Sequence, residues 1–180
     1  MRKLVAYMIV SADGVAQDPE EFVSDFDEEM DADLAEAIET QDTVLLGRTM
    51  HDQWSRYWPD AEHQPFADFI NTVQKYVATA TPLMGGWTNA EAISGPVDDF
   101  VRALKASDEG GDIGVHGSIT LTQSLLASGL VDELRLLVAP CVVGRGRRLF
   151  QDDVAHSLEL VRSTSTPSGS LLVHYRVRTD

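Results

Sequence analysis

The chain has 180 residues, 43% of them hydrophobic, enough for one domain with a sizeable core and too apolar for extensive disorder. Its 29 acidic and 14 basic residues give a formal charge of -15, which excludes a non-specific nucleic-acid binder and an anionic membrane surface as partner. The single cysteine, Cys141, excludes an internal disulfide; it sits in an apolar run and reads as a buried structural thiol, and no metal-ligand spacing accompanies it.

Leu4 to Val10 is an apolar run of strand-forming residues, read as a buried central strand. The run is too short for a signal peptide or a membrane span, so cytoplasmic residence is the default expectation. It ends in Ser11-Ala12-Asp13-Gly14, a turn by composition. Asp13 is either a turn former or a carboxylate facing a ligand, because α/β sheets bind ligands at the carboxyl ends of their strands. The acidic run from Asp18 to Asp33 reads mostly as a solvated loop and helix face. Asp25 to Thr40 has helical spacing at Met30, Leu34, Ala37 and Ile38, with Asp25, Asp27 or Asp31 as N-cap.

Thr43 to Leu46 is the next strand, closed by Gly47-Arg48-Thr49. The Arg48 guanidinium suits phosphate oxygens; its alternative is an ion pair with the acidic helix. Met50 to Trp58 continues as a helix whose Trp54, Tyr57 and Trp58 read as packing residues. Pro65 opens a short helix through Asn71, Lys75 to Ala80 is a strand ending at Thr79, and Leu83 to Ala90 is a loop. Pro96 to Ala106 is an amphipathic helix with Val97, Phe100, Val101 and Leu104 on its apolar side.

Asp112 to Leu126 is the central stretch. Ile113 to Val115 is a strand, Gly117-Ser118 a tight turn, and from Ile119 the apolar spacing is helical. The free N–H groups at such a helix start form an anion site, and a glycine lets a phosphate approach the backbone. Glu133 to Val138 is a further strand, and Pro140 to Phe150 a loop rich in glycine and arginine. Gly144-Arg145-Gly146 precedes no helix and is discounted as a phosphate cradle. Leu158 to Ser163 and Leu171 to Val177 form a closing antiparallel hairpin. Both G-x-G-x-x-G after the first strand and G-x-x-x-x-G-K-[ST] are missing. The remaining strand ends, Ser11–Gly14, Gly47–Thr49, Thr79–Thr81 and His116–Thr120, share one edge if the sheet is parallel, as suits one elongated ligand.

The Asp-Gly turn, VLLGRTM at Val44–Met50, VHGSITLTQSLL at Val115–Leu126 and VDELRLLVAPCVVGRGRRLF at Val131–Phe150 together resemble the dihydrofolate-reductase-like superfamily. Within it the chain is most similar to the group of the C-terminal reductase domain of the bifunctional riboflavin biosynthesis protein, over nearly its whole length. The resemblance implies an α/β fold over residues 1–180 as one domain. Its sheet would be central and mostly parallel, with an antiparallel C-terminal end and helices on both faces. It implies an NADPH-dependent oxidoreductase passing a hydride to a small pteridine- or pyrimidine-like heterocycle or a carbonyl, in a homodimer. The alternative is a non-catalytic or sensory NADP-binding module on the same fold.

Carried over to this chain, the resemblance puts Gly47, Arg48 and Thr49 at the cofactor phosphates and Thr79 near the 2′-phosphate. His116, Gly117, Ser118, Ile119 and Thr120 would hold the pyrophosphate, and Ala6 and Ala16 would flank the nicotinamide. The first-helix carboxylate of the family falls on Asp31 by an ungapped count, with Asp27 and Asp33 within a small gap. Asp31 or Asp13 would orient the acceptor or supply a proton through water. NADP is expected over NAD because Arg48 and Thr79 suit a 2′-phosphate and no acid is in view for free ribose hydroxyls.

Overall fold

The computed structural model describes residues 1–150 and 154–178. The first strand, β1 (Leu4–Ser11), is buried along almost its full length, as its unbroken apolar run requires. It lies inside an eight-stranded sheet of order β4-β3-β2-β5-β1-β6-β8-β7. Here β2 is Gln41–Gly47, β3 Gln74–Ala78, β4 Ala90–Ala92, β5 Asp112–His116, β6 Glu133–Ala139, β7 Ser157–Ser165 and β8 Leu171–Arg178. The strands from β4 to β6 run parallel, and β8 and β7 add on antiparallel. Parallel centre and antiparallel end are as the sequence indicates.

Two faces follow from the alternation along β1. Leu4, Ala6, Met8 and Val10 face one core, shared with α4 (Val97–Ala106) and α5 (Ile119–Ala127). Tyr7 faces the other, shared with α1 (Glu28–Glu39) and α3 (Phe66–Thr72). Met50 and Trp54 of α2 (Arg48–Tyr57), with Trp58 just beyond, pack on that second side, while Tyr57 is exposed. Of the three candidate caps for α1, Asp27 is the one used: its Oδ1 accepts the Met30 N–H at 3.0 Å. Its Oδ2 accepts the Ser168 N–H from the β7–β8 turn at 3.1 Å, which fixes the start of α1 against the antiparallel end.

Two features depart from the sequence reading, and a third, the burial of Lys75, lies outside it. The short strand β4 starts at Ala90, the last residue of the expected Leu83–Ala90 loop; Ala-Glu-Ala carries no strand signal, but β3 offers an open edge and pairs with it through Lys75 to Val77. Cys141 is half-buried rather than buried, because it follows β6 into the surface loop. Lys75 is fully buried, with Nζ donating to the carbonyls of Ile70 at 2.9 Å and Val73 at 2.7 Å and lying 4.6 Å from the centre of the Trp87 ring. It satisfies carbonyls at the end of α3 that the helix leaves unpaired.

Among the described residues no carboxylate bonds Lys75, and burial lowers its pKa to about 8 from 10.5. The unfolded chain therefore binds more protons than the folded chain between those values, so this residue's contribution to stability rises with pH there. Urea denaturation at pH 7.5 and 9.5 should show the wild type gaining roughly 1–2 kcal/mol relative to Lys75→Met over that interval. A pH-independent difference would mean that the amine carries no such penalty.

Candidate functional site

The connections after β1 and β2 cross the face that holds α1, α2 and α3, whereas the connection after β5 crosses the opposite face through α5. Since β5 lies between β2 and β1, its carboxyl end is where the chain changes sides, which opens a crevice in a parallel sheet. The register deepens it. β5 ends at His116, level with Tyr7, while β1 and β6 remain paired as far as Ser11 and Ala139.

Two helix starts meet at this crevice. Gly47 precedes α2 and Ser118 precedes α5, and the Gly47 N–H donates to Ser118 Oγ at 2.9 Å. Ser118 holds the N-cap position of α5, but its hydroxyl is spent across the crevice and makes no cap bond to its own helix. Gly47 has no side chain with which to cap α2. Neither helix carries an acid in its first turn. The first N–H groups of both helices, and the positive ends of their dipoles, are thus left for an anion. Gly117 turns the chain between β5 and α5 at φ +66, and a Cβ there would come within 2.9 Å of Met50 Cε and 3.3 Å of Trp54 Cζ2. Only glycine combines that turn with such close packing.

Arg48, first residue of α2, reaches the end of β3. Its Nη1 donates to Thr81 Oγ1 at 2.5 Å, Pro82 O at 3.1 Å and Thr79 Oγ1 at 3.3 Å. Arg48, Thr79, Gly47 and Ser118 are therefore one assembly, as the shared edge requires. Arg48 does not pair with the acidic helix. Its Nε donates to Asp52 Oδ2 at 2.7 Å, one turn along α2. The expectation that no acid lies in this corner is corrected, because a helix brings residue i+4 back beside residue i. Thr49 and Thr120 are second residues of α2 and α5, and Ile119 is the first of α5, buried in the first core.

Three other expected site residues sit differently. The imidazole of His116 turns away from the rim into the second core, where Nε2 meets Gln41 Oε1 at 2.8 Å. Gln41 also donates to Ala37 O at 2.7 Å, and burial lowers the His116 pKa to about 3, so the ring is neutral and serves packing. Only its main chain stands at the crevice. Ala6 is fully buried between Val115 and Leu134 and does not reach the rim. Ala16, almost fully buried, gives its N–H to Arg147 O at 2.9 Å in the wall beside the crevice.

Asp13 anchors that wall. Its carboxylate accepts from Ser11 Oγ at 2.7 Å, Val143 N–H at 3.0 Å and Gly144 N–H at 2.9 Å. The Ser11 hydroxyl first, and then these two amides, hold its pKa below the usual carboxylate range. An acid kept ionised and fully engaged is a poor proton donor, so Asp13 staples the β1 turn to the Pro140–Phe150 loop. That loop matters in a way the sequence reading missed: it carries Arg147, whose Nη1 lies 3.4 Å from Thr120 Oγ1 at the start of α5. The signal was the arginines of GRGRR themselves, not a glycine cradle.

Asp31 lies on α1 above Tyr7. His63 Nε2 is 3.2 Å from Asp31 Oδ1. That contact lacks hydrogen-bond geometry, so Asp31 Oδ1, like the Tyr7 hydroxyl, is a buried atom without a hydrogen-bond partner among the described residues. Burial, and then Asp33, push the Tyr7 pKa well above 10, so the hydroxyl stays protonated. Tyr7 and His63 carry no sequence signature of their own; they stand out only once α1 is folded over β1.

The family model for the RibD C-terminal domain matches residues 2–172. An uncharacterized protein of Bacillus subtilis (strain 168), YyaP, is 27% identical over 179 residues, spanning 97% of this chain and 94% of its own length. Among solved structures, a pyrimidine reductase-like protein from Corynebacterium diphtheriae matches with TM-score 0.72 and 17% identity, covering 99% of this chain and 93% of that one. A dihydrofolate reductase from Enterococcus faecalis complexed with NADP(H) matches with TM-score 0.64 and 14% identity, covering 98% and 97%. Likenesses at these identities speak for the fold, which is dihydrofolate-reductase-like.

The staple predicts a measurable looseness when cut. Asp13→Ala should increase tryptic cleavage after Arg145, Arg147 and Arg148 several-fold under native conditions, with the rest of the cleavage map unchanged. An unaltered rate at those arginines would show that the loop is held by other contacts.

Proposed function

The chain belongs to the RibD C-terminal domain family, and from that premise we propose that it is an NADPH-dependent oxidoreductase acting on a small pyrimidine-like heterocycle. The observation that carries the reading is the pair of uncapped helix starts joined by the Gly47–Ser118 bond at the crevice, with Arg48 beside them. A dinucleotide has a diphosphate at its middle and suits such a place. The fit is specific to the chain in hand: the Ser118 hydroxyl that would normally cap α5 is spent on Gly47.

When bound, the cofactor supplies the hydride; the residues supply grip, orientation and a proton. The amides at the start of α5 take the pyrophosphate, with Gly117 allowing close approach and Arg147 adding charge from the side. Thr49 and the α2 amides take phosphate oxygens on the other side, where Gly47 presents no side chain, and Arg48 with Thr79 faces the 2′-phosphate. Asp31 orients the acceptor from α1, accepting its N–H groups. A heterocycle that gains a hydride must also gain a proton, and Asp31, half-exposed next to His63, can relay one from water. Most of the rate then comes from holding two reactants together in order.

Trp54 packs against Gly117, so its fluorescence is a direct readout of the crevice. NADPH titration should quench it saturably, and Arg48→Ala should weaken NADPH on the order of tenfold, with NADH affected less. Absence of saturable binding by either nucleotide removes the reductase reading; equal losses for both would remove Arg48 from the choice between them.

A further inference from the structure

Arg48 is already engaged, and how it is engaged bears on which nucleotide the site takes; the inference rests on the dinucleotide reading above. A guanidinium has five N–H donors. Here Nε is given to Asp52, and Nη1 to Thr79, Thr81 and Pro82, so among the described residues only Nη2 lacks a partner. A 2′-phosphate would meet a single nitrogen at that end, not the two-pronged fork that makes arginine selective for phosphate.

The carboxylate next to it is fixed in place. Asp52 lies within α2, one turn after Arg48, and is gripped a second time by His51, whose Nδ1 is 3.0 Å from Asp52 Oδ1. His51 is buried at 1% exposure, so this second hydrogen bond comes from a partner itself packed in place. The hydrogen bonds from Arg48 and then His51 also keep Asp52 ionised. One cation is thus shared between a resident carboxylate and any incoming phosphate.

We propose that Asp52 is the residue that sets the preference between the phosphorylated and unphosphorylated dinucleotide, holding the site close to dual use of NADPH and NADH. A 2′-phosphate adds about two negative charges at neutral pH beside a fixed carboxylate, whereas a free ribose hydroxyl meets no repulsion. An acid near this corner is also what a free ribose hydroxyl can donate to.

The test is the ratio of NADH to NADPH dissociation constants in the wild type and in Asp52→Asn. The variant keeps the size and a hydrogen-bonding oxygen but loses the charge. The ratio should rise on the order of tenfold, through tighter NADPH, and the gain should shrink as salt is raised. An unchanged ratio, or NADPH bound more weakly by Asp52→Asn, would overturn the proposal, the second result meaning that Asp52 serves to aim Arg48. If neither nucleotide binds the wild type, the dinucleotide reading itself fails, an outcome distinct from an unchanged ratio.

Discussion

One hydrogen bond organises the functional edge of this molecule. By donating its N–H to the Ser118 hydroxyl, Gly47 joins the turn after β2 to the turn after β5. Without it, Ser118 would be free to bond the amides of α5, as N-cap serines do, and the anion site would be closed by the chain's own side chain. With it, α2 and α5 begin side by side and uncapped. The cost is two helix ends lacking side-chain caps, about 1 kcal/mol for the redirected Ser118 and roughly a few tenths for glycine at the start of α2. Stability given up at an edge where ligands bind is a common mark of function.

The sheet makes that bond available. Crossovers on opposite faces put α2 and α5 on two sides of the same strand ends, so their starts converge while their bodies diverge into separate cores. Gly114 shows how tightly this is set: a Cβ there would fall 2.0 Å from Gln41 Oε1 and 2.8 Å from His116 Nε2. The Gln41–His116 contact fills the second core beneath the rim and needs the bare backbone of β5 beside it. Asp13 does similar work above the rim, where three hydrogen bonds replace the packing that a surface loop lacks.

Much of this was legible in the chain. Apolar runs placed β1, β2, β5 and β6, and the switch from strand to helical spacing across Gly117 located the crevice. The strand β4 was not legible, because an edge strand of Ala-Glu-Ala is imposed by its neighbour. Sequence spacing also could not tell which way a side chain points: His116 adjoins Gly117, yet its ring belongs to the core. The role of Asp13 depended on contacts with Val143 and Gly144, far along the chain. Asp52 was a different kind of miss, since its i+4 relation to Arg48 was readable once the helix was extended back to Arg48. Placing the helix start at Met50 hid it.

The charge balance sharpens the picture of how such an acidic chain would hold an anionic ligand. With a formal charge of -15, the protein as a whole repels a nucleotide. At physiological salt that field fades over about 8 Å, so the local charges decide. Those are largely neutralised already: Arg48 faces Asp52 at 2.7 Å, Arg148 faces Asp13 at 3.6 Å, and Arg145 faces Glu21 at 3.9 Å. Among the described residues, the unneutralised attraction left at the rim is that of the backbone amides of α2 and α5 and of Arg147. Amides are fixed by the fold and carry no counter-ion to displace, so they would hold a phosphate by geometry more than by net charge. A grip of that kind tolerates an acidic surface, which is why overall composition alone says so little about affinity for a phosphorylated cofactor.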